Sequence, residues 1–270
     1  MNSLIRAVVL ISFCATSGWA WDAERTHKDL SEKAVENSVL STANGDYLKN
    51  LGFTNNLKET FILGTDSKYV KDWIRQGSLD EDSGNILNGR YYNHFHNPLY
   101  TQDQWEQAGL GSSWPWVQDG KSSVLWSLNY SNNEWAWQWV RNNYYNALIS
   151  ITETDRQGYF AKTFSGLGHI IHLIQDAAQP DHVRNDPHPL DDSGWWTGLE
   201  YWAWEHRNDV NNIASNPVFP SVSNTSLGGY IPITHFFDTD QYNGTNPSDS
   251  LSLGLSEYTN ANFFSEDKLC

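Results

Sequence analysis

The stretch FAKTFSGLGHIIHLIQDAAQPDH, residues 160–182, decides the fold class. Phe160, Phe164, Leu167, Ile171, Ile174 and Ala178 recur at intervals of three and four, the spacing of one buried face of an α-helix. Pro180 ends that helix, because proline has no amide hydrogen and disfavours helical geometry at the residue before it. His172 and Asp176 are four apart, so their side chains stack on one face and can converge on a single ion. Gly168 lies one turn earlier in the same column and leaves room beside His172. Beyond the proline turn, His182 can swing back toward the same space. A His–Asp pair that serves packing alone accounts for the first two residues and leaves His182 unexplained.

Outward from this helix, the periodic pattern reaches back to Glu134, in two parts separated near Asp155 to Gly158. Shorter helical patterns fit residues 26–40, 58–76, 199–214 and 251–264, and strand-like alternation is scarce. These elements predict an all-α fold, a single-domain helical bundle. Residues 77–133, 183–198 and 215–249 are rich in Gly, Ser, Asn, Asp and Pro and read as long loops. No internal repeat or linker divides the chain, so residues 21–270 form one expected domain.

Residues 1–20, MNSLIRAVVLISFCATSGWA, have the layout of a signal peptide: Arg6, an apolar run from Ala7 to Phe13, and Gly18 and Ala20 before a cleavage point. Cleavage would make the protein secreted or periplasmic and leave Trp21 as its first residue. It would also remove Cys14, leaving Cys270 without an intramolecular disulfide partner in an oxidising compartment. Bound metal is then a candidate staple. Hydrophobic residues make up 39% of the 270 and aromatics 14%, which excludes disorder, yet no stretch after the leader suits a transmembrane segment. The formal charge of -15 becomes one unit more negative when Arg6 is lost. Such a field repels polyanions, which makes nucleic acid a less favoured substrate than a neutral or zwitterionic one.

A metal site at His172, Asp176 and His182 needs further ligands. Residues 77–98, GSLDEDSGNILNGRYYNHFHNP, supply Asp80, Glu81 and Asp82, then His94 and His96 before Pro98. Residues 21–30, WDAERTHKDL, place His27 at the start of the first helix. Imidazole and carboxylate donors in a helical bundle suit zinc. HLIQDAAQPDH, preceded by HFHNP and by a processed chain opening on Trp with an early His, resembles the zinc-dependent bacterial phospholipase C family. Members of that family are all-helical and bind three zinc ions, and they share this metal core with the single-strand-specific zinc nucleases. The likeness spans most of the processed chain through an ordered set of motifs.

The resemblance implies that Trp21, through its amino and carbonyl groups, and His27 hold one zinc. It implies that Asp82, His94, His172 and Asp176 hold a second, Asp176 bridging toward the first, and that His182 and Glu200 hold the third. Asp66 and Asp80 are the alternatives to Asp82. Trp196 stands where the family has a further histidine, and His188 or water are the substitutes there. Asp82 is also the implied catalytic residue, orienting or deprotonating the attacking water. Zinc ions with open positions would make that water nucleophilic and neutralise phosphoryl charge.

The expected function is a phospholipase C that releases diacylglycerol and a phosphorylated headgroup, with a single-strand nuclease or a non-catalytic zinc-binding domain as alternatives. The expected partner is a phospholipid or other phosphodiester substrate. Trp195, Trp196, Trp202 and Trp204 are core residues or a peripheral membrane contact. Among the remaining histidines, His169 reads as a support to the ligands or a core residue, His96 as a loop residue, and His206 and His235 as surface or packing residues. Arg184 is either a phosphate contact or a solvated loop charge.

Overall fold

The structure is a computed structural model that describes residues 23–41, 45–83, 89–111, 120–129, 131–186, 198–215, 232–246 and 252–265. A π-helical turn, Ala23–His27, runs into α1 (Lys28–Asn37), and the short α2 (Tyr47–Asn50) follows. A hairpin of β1 (Thr60–Leu63) and β2 (Asp66–Tyr69) leads into α3 (Val70–Glu81). Then come α4 (Ser123–Asn129), α5 (Trp137–Ile149), α6 (Glu153–Asp176), α7 (Gly198–Glu205), α8 (Arg207–Ser215), α9 (Thr234–Phe237) and α10 (Leu255–Asn262). The architecture is all-α apart from the two-stranded hairpin. Among the described residues no helix is long and apolar enough to cross a membrane.

The hairpin replaces part of the helix expected over 58–76. Thr60, Phe61 and Ile62 favour a pleated backbone, and Gly64 takes φ +62°, which a two-residue hairpin connection accommodates. Trp73 of α3 donates its indole hydrogen to the Phe61 carbonyl at 3.1 Å, so strand and helix are tied together. Helix α3 then continues through residues 77–81, which the sequence reading assigns to a loop. That loop assignment also fails at Arg90–Asn93 and Gln102–Gln107, both 3₁₀ turns, and at α4.

Helix α6 is the central element, with α3 and α5 as its main neighbours. The expected break near Asp155–Gly158 lies instead at Ser150–Thr152. Thr152 accepts a hydrogen bond from the Asp155 amide at 3.1 Å, and Glu153 and Asp155 place negative charge at the positive end of the helix. Gly158 sits inside the helix. At the other end, the Gln179 amide donates to the Asp176 carbonyl and the chain turns at Pro180.

Two apolar clusters divide α6 between them. Phe160, Ala161 and Phe164 pack with Val35, Leu48, Phe61, Val70, Trp73, Ile74 and Ala147. Leu173 and Ala177 pack with Trp105, Ala108, Val124, Trp126 and Phe237. Burial on the second half of the helix departs from the expected apolar face. Leu167, Ile171 and Ile174 are only partly buried, whereas His169, His172 and Asp176 are buried.

The glycines explain how α3 reaches that polar face. A Cβ on Gly77 would overlap the Ser165 carbonyl, and one on Gly168 would overlap the Ile74 carbonyl. Gly168 therefore serves close backbone approach between α3 and α6, a correction to the expectation that it leaves room beside His172. The approach brings the Ser78 carbonyl to 2.6 Å from His172 Nδ1. Helix α3 is ending there: the Asp82 amide turns to the Asp80 carbonyl.

Candidate metal centre

Six of the sequence-predicted ligands come together around Asp176. Its Oδ1 lies 3.3 Å from His27 Nε2 and 3.7 Å from His182 Nδ1. Its Oδ2 lies 3.0 Å from His94 Nδ1 and 3.3 Å from His172 Nε2. Asp82 closes one side, with Oδ1 at 3.4 Å from His94 Nδ1 and Oδ2 at 3.6 Å from His172 Nε2. The four imidazoles and Asp176 are all buried. Each oxygen of one carboxylate thus faces its own pair of histidines.

Five separate elements deliver these groups. His27 ends the π-helical turn before α1, Asp82 follows the last turn of α3, and His172 and Asp176 belong to α6. His94 follows the 3₁₀ turn Arg90–Asn93, and His182 opens another, His182–Arg184, after Pro180. The His96 amide donates to the His182 carbonyl at 2.9 Å, and the Phe95 ring stacks on His182 at 4.5 Å. The segment carrying His94 therefore also braces His182.

Hydrogen bonds on the far side of two rings fix what they offer the site. His172 Nδ1 donates to the Ser78 carbonyl, which can only accept, so the lone pair is on Nε2. The Gln175 amide donates through Nε2 to Ser31 Oγ at 3.0 Å, which turns its oxygen toward His27. His27 Nδ1 donates to that oxygen at 2.7 Å and likewise presents Nε2 inward. The two rings stack at 3.6 Å, 14° from parallel.

Inward-facing imidazole lone pairs opposed to carboxylate oxygens repel unless something positive sits among them. Both oxygens of Asp82 and of Asp176, both ring nitrogens of His94, and His172 Nε2 are buried without a hydrogen bond. Their mutual approaches of 3.0–3.6 Å are not aligned as hydrogen bonds; the atoms point at common spaces rather than at one another. His27, His172 and Asp176 form one group, and Asp82, His94 and His172 another, whose donor atoms lie within 4.8 Å of each other. Either group could hold a metal ion.

Protons are the alternative source of positive charge. Burial lowers the pKa of His94, but Asp176, with Glu81 and Asp82, outweighs it and lifts the value to about 9. Burial acts against the charged form of His172 too, and Asp82 and Asp176 raise its pKa well above the usual value. Burial would raise the Asp176 pKa, yet His172, His182, His94 and His27 hold it well below the ordinary range. The facing carboxylates and imidazoles thus favour positive charge in the cluster, and either protons or a metal ion could supply it.

The other predicted site residues divide clearly. Trp21, His188, Trp195 and Trp196 lie outside the described residues, and Glu200 is on α7 with its side chain outside them. Asp66 is on β2 beside Lys68, and Asp80 accepts from Gln76, so neither competes with Asp82. His96 is in a loop yet buried: its Nδ1 is 2.8 Å from Ser122 Oγ and its Nε2 2.7 Å from Asp238. Arg184 donates to the carbonyls of Asn260 and Phe263 and anchors the end of α10. His206 stacks on Trp202, which is 46% exposed, and His235 is exposed.

Glu81 is the residue that the sequence reading passes over. It is fully buried, and accepts from Arg90, Trp126 and His169, while His169 also stacks on Trp135. A signal for it exists: Val70, Trp73, Ile74, Gly77 and Ser78 repeat at helical spacing, and Glu81 is the next position on that buried face. The chain matches no protein-family model, no curated protein and no solved structure.

Proposed function

We propose that the protein is a secreted, zinc-dependent phosphodiester hydrolase acting as a phospholipase C on a zwitterionic phospholipid. The observation that carries this reading is the Asp176 carboxylate, whose Oδ2 faces His94 and His172 while its Oδ1 faces His27, as a ligand shared by two cations would. Asp82, His94 and His172 with Asp176 Oδ2 would hold one ion; His27 with Asp176 Oδ1 would hold a second, which Trp21 would complete. His182 and Glu200 would contribute to a third. The mixture of imidazole nitrogen and carboxylate oxygen suits zinc, and the resemblance of HLIQDAAQPDH and HFHNP to the phospholipase C family points the same way. Bound together, such ions supply a water that is nucleophilic near neutral pH and neutralise charge on a phosphoryl group.

The chain's own groups do the rest. Asp82 sits between His94 and His172 with both carboxylate oxygens free of hydrogen bonds. It can therefore orient a water and accept its proton. Ser78 and Gln175 keep His172 and His27 from rotating. The acidic chain disfavours a polyanionic substrate and tolerates a zwitterion. The test is release of phosphocholine from a short-chain phosphatidylcholine, abolished by a chelator and restored by zinc. Cleavage of single-stranded DNA in its place would convert the reading to a nuclease. Tight zinc binding with turnover of neither substrate would leave a metal-binding domain.

A further inference from the structure

Glu81 and its contacts raise a question that ligand spacing does not answer: why a carboxylate is fully buried beside the cluster without joining it. Its Oε2 accepts from Arg90 Nε at 3.0 Å, Arg90 Nη2 at 2.7 Å and His169 Nδ1 at 2.5 Å. Its Oε1 accepts from Trp126 Nε1 at 2.8 Å. These donors come from the 3₁₀ turn at 90–93, α6 and α4, and they leave little of the carboxylate to ligate anything. One direction at Oε1 remains, and the group facing it is His94 Nε2, at 3.7 Å.

His94 differs from its neighbours in the orientation of its ring. His27 and His172 donate from Nδ1 to neutral oxygens and offer Nε2 to the site. His94 turns Nδ1 toward Asp176 and Asp82, at 3.0 and 3.4 Å, and Nε2 toward Glu81. A neutral imidazole carries one hydrogen. If it is on Nδ1, the ring cannot ligate an ion held by Asp82 and Asp176. If it is on Nε2, it needs an acceptor, and Glu81 Oε1 is placed to accept once the 3.7 Å gap shortens to a hydrogen bond. We infer that Glu81 is a positioning residue that holds the hydrogen of His94 on Nε2 and directs Nδ1 to the metal.

This inference rests on the metal reading of Asp82, His94, His172 and Asp176, but not on the identity of the substrate. A carboxylate behind a ligating imidazole increases its basicity and fixes its orientation, and losing such a partner costs about 10–100-fold in metal affinity. Zinc affinity of Glu81→Gln, measured by chelator competition, is expected to fall by that factor. In the zinc-loaded unmodified protein, ¹⁵N shifts of the His94 ring are expected to report ligation through Nδ1 and a hydrogen on Nε2.

Ligation through Nε2 would overturn the inference, as would a Glu81→Gln protein that binds zinc as tightly as the parent. If Glu81→Gln does not fold, the ring assignment in the unmodified protein decides alone. An unmodified protein that binds no zinc sinks the metal reading and this inference together. Zinc binding without phospholipid hydrolysis removes only the proposed substrate.

Discussion

The two halves of α6 are buried against different chemistry: one against aromatic rings, the other largely against carboxylates and imidazoles. Around Phe160 and Phe164 the helix meets Phe53 and Phe61 in an aromatic cluster, with ring centroids 4.9–6.4 Å apart. Burial there removes apolar surface from water and stabilises the fold directly. Two to four turns later the same helix buries His169, His172 and Asp176 against Ser78, Glu81 and Asp82. Charged and polar groups lose solvation on burial, so this polar face, unlike Leu173 and Ala177 on the second apolar cluster, is favourable only when its carboxylates meet a cation. The first half is stabilised by apolar packing, and the second offsets the cost of a candidate metal site with its own apolar cluster.

The largest effect that could break this contrast is at Asp176. Asp176→Asn removes the charge shared by four imidazoles; under the proposed function, metal binding and hydrolysis should both be lost while the aromatic half remains folded. Metal analysis beside circular dichroism checks this; retained zinc would remove Asp176 from the centre. Phe164→Ala should do the converse, costing about 3–5 kcal/mol of stability by denaturant unfolding. Its zinc affinity should be unchanged in the fraction that remains folded.

The response to pH sharpens the comparison further. In chelated protein, the raised pKa of His94 means that its contribution to stability is fully present below about 6.5 and is lost as pH rises through about 9. The depressed Asp176 pKa contributes stability above the usual carboxylate range and loses it on acidification. The melting temperature of the chelated protein should therefore fall between pH 6.5 and 9, whereas zinc affinity should rise over that interval as ligands lose their protons. A chelated protein whose melting temperature rises there would contradict the charge arrangement.

A smaller effect couples the two halves. Gly168→Ala must push α3 away from α6, because its Cβ meets the Ile74 carbonyl and the Ser78 amide. The expected cost is about 1–3 kcal/mol. Zinc affinity should drop with it, since the Ser78 carbonyl that orients His172 moves with α3. Unchanged affinity in a destabilised variant would show that the helix crossing and the site are independent.

Much of this organisation is legible in residues 160–182. Helical periodicity, the stop at Pro180 and the i, i+4 placement of His172 and Asp176 follow from local geometry alone. The helix over residues 58–76 is a different case, because the turn at Gly64 and the β-branched and aromatic residues Thr60, Phe61 and Ile62 before it override the apolar spacing. The N-cap at Thr152 is legible in Asp155 three residues later, whereas Gly158 suggests a break where the helix in fact continues. His96 carries no local sign of its burial, since its partners Ser122 and Asp238 are far away in the chain.

The sequence by itself determined the helical class and which residue types were available for metal chemistry, since both depend on composition and short-range spacing. Tertiary structure alone decided that His27, Asp82 and His94 meet the α6 pair, because separations of up to 149 residues carry no geometric information until helices pack. It also decided the ring orientations. Whether an imidazole offers Nδ1 or Nε2 is set by the acceptor behind it, and Ser78, Gln175 and Glu81 reach those positions only through the crossing of α3 with α6 and the docking of the first helix.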